Sequence, residues 1–223
     1  MRIVNMTMMQ MSKEDKYAQV SINEGIKHHG EEAIAAILKE FTQLNDKGVF
    51  KSYDARKLSK STKPEPLNLI TMIQQKRDGK IKGRAWADGR KQRRYITKEE
   101  VSSPTVQLES LMITFLINAH KGRDVATTDM VWAYLLANMD DYTVVKISGT
   151  TTDIMCQVNP SYNEYKVMEK GKPTLFLRLS KALYGCMQSA ILWYQTFKGC
   201  LENLGFKLNP YDPYIANKVI KGE

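Results

Sequence analysis

The chain has 223 residues, 43% of them hydrophobic and 26% charged, proportions that suit a folded globular protein and exclude wholesale disorder. Its 33 Lys and Arg outnumber 24 Asp and Glu, a formal charge of +9 that favours acidic partners. No stretch approaches the roughly 18 apolar residues a membrane span needs, and MRIVNMTMMQMSKEDK, with no uninterrupted apolar run, does not read as a secretory leader. No membrane partner and an intracellular, cytoplasmic location are therefore expected. Cys156, Cys186 and Cys200 form no C-x-x-C pair, and His28, His29 and His120 add no ligand spacing, so neither a zinc site nor a disulfide framework is indicated. The thiols read as buried and reduced.

Residues 1–30 read as a poorly ordered lead-in, rich in methionine at its start. From Glu31 the rhythm Ile34, Ile37, Leu38, Phe41, Leu44 predicts a helix that Gly48 stops. A connection with Pro64 and Pro66 leads to a short strand over 70–74. Residues 76–94 then concentrate nine cations against two acids, with Gly79, Gly83 and Gly89 breaking any long helix. This reads as a strand-loop-strand ribbon able to meet phosphates, its arginines and the concentration of net charge favouring that over a solvated basic loop.

Ser103-Pro104 offers a capping hydroxyl before a first-turn proline. Leu108, Leu111, Met112, Phe115, Leu116 and Ala119 follow as one apolar stripe closed by Gly122. DVATTD reads as a strand ending near Asp129, and MVWAYLLANM as a compact helix. TVVKI, DIMCQV and TLFLRL are three further strand-like segments. ALYG makes a turn, a helix runs from about Ser189 to Leu204, and DPYIANKVI begins another strand. Strands and helices intermix without strict alternation, so the expected class is α+β. Asp129 by itself fits a helix N-cap as well as a functional carboxylate.

Several blocks acquire a joint meaning in order: KIKGRAWADG, SPTV at 103–106, AHKGRDVATTDMVWAYL at 119–135, LSKALYGCMQSAILWY at 179–194 and LGFKLNPYDPYIA at 204–216. In this combination, above all K-A-L-Y-G-x-x-Q-S, residues 31–223 resemble the reverse transcriptase domain of copia-type LTR retrotransposons. The resemblance implies the fingers and first part of the palm of a right-hand polymerase. Its partners would be an RNA or DNA template-primer and a deoxynucleoside triphosphate; its cofactor would be magnesium or manganese. In the intact family the setting would be a retroelement particle.

The same resemblance assigns roles by position. Asp129 would be the first catalytic carboxylate and a metal ligand, with the Met130 backbone carbonyl beside it. Lys82 and Arg84 would grip the incoming triphosphate. Tyr134 would sense the sugar, and Gln188 and Ser189 would line the nucleotide pocket; core packing and helix capping are the structural roles open to Tyr134 and Gln188.

Two departures bear on activity. Ala190 and Ile191 stand where the family has proline and arginine, which removes a cation. No Tyr-x-Asp-Asp run, the source of the other two carboxylates, occurs in the sequence; Asp140-Asp141 reads instead as a solvated turn. The expectation is a truncated, catalytically incomplete enzyme, the alternative being a non-catalytic nucleic-acid-binding remnant.

Overall fold

The computed structural model describes residues 19–58, 65–139 and 142–220. Its elements are β1 (Gln19–Ser21), α1 (Ile22–His29), α2 (Glu31–Asp46), β2 (Phe50–Ser52), β3 (Leu67–Gln75), β4 (Ile81–Ala87), α3 (Leu108–His120), β5 (Val144–Ser148), α4 (Thr150–Val158), β6 (Val167–Glu169), β7 (Lys172–Leu179), α5 (Ser189–Asn203), β8 (Lys207–Leu208) and β9 (Ala216–Asn217). Strands β1 to β7 form one mixed sheet along the path β1-β3-β5-β7-β2, with β4 also paired to β3 and β6 to β7. All pairings are antiparallel except β3 with β5, which joins at Leu67↔Val145 and Asn68↔Lys146. The architecture is mixed α+β, as the intermixed pattern predicts.

The predicted periodicity of α2 is what places it. Ala33, Ile37, Phe41 and Leu44 are buried against Ile73 of β3 and a core continued by Val145, Ile147, Leu175 and Leu177. Each large side chain contributes about 1.5–3 kcal/mol on burial, so tertiary packing rather than helix propensity holds α2. The approach of α2 to β4 requires a residue without a side chain at Gly83: a Cβ there would lie 2.6 Å from the Ala36 carbonyl oxygen. The basic ribbon is a true hairpin, paired from Leu69↔Ala87 to Gln75↔Ile81.

Several expectations are corrected. Residues 1–18 lie outside the described residues, but 19–30, part of the expected lead-in, form β1 and α1, because β1 pairs with β3 and Ile22 is buried. The strand expected at DVATTD is not there: residues 123–130 carry no regular structure and are exposed, since no neighbouring strand supplies a ladder partner. The helix expected at MVWAYLLANM shrinks to a single 3-10 turn, Ala133–Leu136. DIMCQV falls within α4 rather than a strand. Ile154, Met155 and Cys156 are buried there, and the Thr152 hydroxyl donates to the Pro173 carbonyl at 3.2 Å, so tertiary packing overrides β-propensity. The thiols of Cys156 and Cys186 are buried, whereas Cys200 is exposed.

Helix α3 forms, but not from Ser103-Pro104: its N-cap is Gln107, and no residue of it is buried. Its start is tied to the C-terminal segment by Asp212, which is buried and accepts hydrogen bonds from the backbone N–H of Gln107 (2.9 Å) and of Tyr214 (3.0 Å). These donors, with the Ser110 hydroxyl, hold its carboxyl below the usual carboxylate range. A depressed carboxylate contributes stability above its unfolded value and loses that contribution as pH falls through its folded value. The urea midpoint should therefore drop below about pH 4. Asp212→Asn should lower stability near neutrality and flatten that acid branch; parallel acid branches in both proteins would remove Asp212 from this role.

Candidate active site

The β3–β4 hairpin sets out one wall of a cleft of about 600 Å³. Strand alternation puts Lys82, Arg84 and Trp86 on one face of β4 while Gly83, Ala85 and Ala87 are buried. All three outward residues line the cleft. Glu40 of α2 lines it from beside them, and Asp129, Met130 and Trp132 from the segment that follows α3. Leu183, Tyr184 and Gly185 of the ALYG turn complete the opposite wall.

The turn and the hairpin are held together by backbone. The N–H of Ala87 donates to the Tyr184 carbonyl at 2.8 Å. Gly185 has φ +88, and a Cβ there would sit 1.9 Å from the Ala87 carbonyl oxygen, so only glycine fits. Gln92, fully buried inside the basic segment, accepts from the Met187 N–H through its Oε1 at 2.9 Å. Burial pushes the neighbouring Cys186 thiol up to about 12, which leaves it a packing group rather than a nucleophile.

The cleft is electrically uneven. Burial holds Lys82 below its usual range, reinforced by Arg84 and Lys76 and opposed by Glu40. Burial also raises Glu40, eased by the Ala85 backbone N–H, Lys82 and Arg84. Desolvation thus disfavours charge on both partners of this pair, and Arg84, exposed, is the better placed cation for a phosphate. Elsewhere in the ribbon, Arg90 is paired with Asp88 at 2.7 Å and Lys91 with Glu65 at 2.9 Å.

The residues singled out from the sequence divide into two groups. Lys82, Arg84, Asp129 and Met130 come together in the cleft, with Asp129 exposed on an irregular segment rather than at a strand end. Tyr134, Gln188 and Ser189 do not line it. Tyr134 is half-buried with its ring 4.5 Å from that of Tyr184, which does. Gln188 occupies the N-cap position of α5, and the buried Ser189 hydroxyl donates to the Leu183 carbonyl at 2.6 Å, supporting the turn from behind. Asp140 and Asp141 lie outside the described residues.

Glu40, Trp132 and Tyr184 were not read from the sequence as site residues. Glu40 had a signal: it falls three positions after Ile37 and seven after Ala33, at the border of the buried face of α2. Trp86 shares the period-two face of Lys82 and Arg84. Among the described residues no three His, Cys, Asp or Glu side chains gather where they could hold a metal ion.

No curated protein and no solved structure matches the chain. A family model described as reverse transcriptase (RNA-dependent DNA polymerase) matches residues 50–218, a span that takes in the basic hairpin, Asp129 and the ALYG turn. Since that span is well over half of the sequence and includes three walls of the cleft, the chain belongs to the reverse transcriptase (RNA-dependent DNA polymerase) family.

Proposed function

We propose that the chain supplies the fingers and the first part of the palm of a copia-type retrotransposon reverse transcriptase, acting inside the cell on a template-primer and a deoxynucleoside triphosphate. The observation that carries this reading is the single cleft shared by Asp129, Lys82 and Arg84. Two cations on one strand face can hold a triphosphate by charge-assisted hydrogen bonds, while an exposed carboxylate opposite offers anionic oxygen to a hard cation. Trp86, Trp132 and Tyr184 add flat apolar surface for a base or sugar.

The family generally uses divalent metal ions, with magnesium or manganese the ions of choice in this reading. Asp129 and the Met130 carbonyl suit one ligand position each. Glu40, the other acid in the cleft, is pushed toward its neutral form, and no third Asp, Glu, His or Cys joins them among the described residues. This donor set does not fit a two-ion site, so no step of nucleotidyl transfer follows from it. The chain by itself is expected to bind nucleotide without extending a primer. That shortage of carboxylates also favours a second reading, a nucleic-acid-binding remnant that has lost catalysis.

Triphosphate binding decides whether the cleft has this role. Lys82→Ala with Arg84→Ala should weaken deoxynucleoside triphosphate binding about a hundredfold, two charge-assisted contacts at about 1.5–3 kcal/mol each less their solvent exposure. Equilibrium dialysis with labelled nucleotide measures it, and equal affinity of variant and parent would end the cleft assignment. Primer extension with magnesium or manganese, with Asp129→Ala as control, checks the rest. Extension that vanishes in the control would contradict the expected inactivity.

A further inference from the structure

A second concavity, about 430 Å³, lies beside Trp132, whose ring faces Lys47, and is lined by Lys47, Lys51, Arg178 and Lys181 with no carboxylate among its described residues. Lys51 on β2 and Arg178 on β7 are directly opposite in register, so their side chains share one face. Like charges in that relation destabilise a sheet. The arrangement costs stability in the free protein, and an anion lying between them would reverse the sign.

Three of the four cations have partners of their own. The Lys181 Nζ donates to Asn138 Oδ1 at 2.8 Å, and the Arg178 guanidinium sits 4.8 Å from the centre of the Tyr142 ring. Lys47 Nζ lies 4.2 Å from the centre of the Trp132 ring. Apart from glycines, only Trp132 and Lys170 have a positive φ among the described residues. Trp132, at φ 57 and ψ 37, is left-handed and 43% exposed. Such a conformation costs of order 1–3 kcal/mol for a non-glycine residue and persists where the surroundings impose it. Its ring lines the first cleft while carrying a cation of the second, so an aromatic surface and a basic pocket are contiguous.

We propose that this pocket binds the phosphodiester backbone of a single-stranded polynucleotide, one of whose bases stacks on Trp132 as the strand passes between the pocket and the cleft. A basic groove beside an exposed aromatic ring is the combination that holds single strands, since phosphates meet the cations and every base has a face to stack. A free inorganic phosphate would use the cations and ignore the ring. A duplex keeps its bases stacked on each other and would ignore it too. The assignment rests on the nucleic-acid-handling reading above; it shares Trp132 with the cleft but none of the cations that hold the triphosphate.

The test is anisotropy of a fluorescein-labelled oligothymidylate of about 16 nucleotides, long enough for one such site, on the full chain over a range of salt. Lys51→Gln with Arg178→Gln should weaken binding about tenfold and reduce the slope of log K against log salt by about 1.4, or about 0.7 for each single-strand phosphate no longer neutralised. Lys181→Gln, which leaves the β2–β7 pair intact, should reduce the slope by about half that amount. Trp132→Ala should weaken binding about tenfold, and Trp132→Phe should restore most of it. An unchanged slope in both charge variants, or parental affinity in Trp132→Ala, overturns the proposal. So does a blunt duplex binding as tightly as the single strand, or inorganic tripolyphosphate competing as well as the oligonucleotide. Lys82→Ala with Arg84→Ala separates the two readings. If that variant keeps triphosphate binding while the pocket variants lose oligonucleotide, the cleft assignment fails and this one stands.

Discussion

Gly185→Ala is expected to destabilise the fold by about 3 kcal/mol or more, combining strain at a positive φ with an overpacked backbone contact. The two costs arise at one atom. The added Cβ would lie 1.9 Å from the Ala87 carbonyl oxygen, and that oxygen belongs to the end of β4 rather than to a flexible side chain. Relief requires the ALYG turn to move away from the hairpin, which would break the Ala87 N–H bond to the Tyr184 carbonyl. Urea unfolding of parent and variant measures the loss. Because the same displacement opens the cleft between Trp86 and Tyr184, triphosphate affinity should fall with stability rather than independently of it. A variant with the parental midpoint would show that the turn and the hairpin approach less tightly than the geometry states.

Gln92→Leu should cost about 1 kcal/mol, although leucine nearly fills the space of glutamine. The substitution removes the acceptor for the part-buried Met187 N–H, a loss partly offset because the buried Gln92 Nε2, which has no hydrogen-bond partner, goes with it. Gln92→Ala should cost more, because a cavity is added. The comparison separates the hydrogen bond from packing: if leucine is tolerated and only alanine destabilises, Gln92 acts as filler. Thermal melts of the three proteins suffice. Arg93→Ala, a neighbouring exposed position, should shift stability by less than about 0.5 kcal/mol.

What could be read from residues alone follows where the physics is local. The stripe from Ile34 to Leu44 became α2, and Gly48 with φ +65 closes it; the glycine-broken basic run became a hairpin whose period-two face carries Lys82 and Arg84. Gln92 was illegible because four cations within two residues of it suggest solvent, yet the 3-10 turn from Gly89 to Arg94 rotates this one side chain inward. Asp129 was placed at a strand end by the β-rich DVATT, but a strand exists only with a partner, and none pairs there. The apolar stripe of α3 fixed a helix and a face without fixing anything to cover it: Leu108, Met112 and Leu116 remain more than half exposed. Periodicity reports which residues want burial, not whether an element arrives to bury them.

The sheet has a seam. Among the described residues, β1, β3 and β4 are paired with β2, β5, β6 and β7 through two residue pairs, Leu67↔Val145 and Asn68↔Lys146, positions far apart in the chain. The hairpin and the β5–β7 pair can each form over shorter loops, whereas the parallel junction closes one that spans a third of the molecule. Loop-closure entropy of that kind is met before the junction returns any energy, and β2 reaches β7 across a longer span still, so assembly should be limited by the late joining of the β3–β4 hairpin and of β2 to the β5–β7 pair.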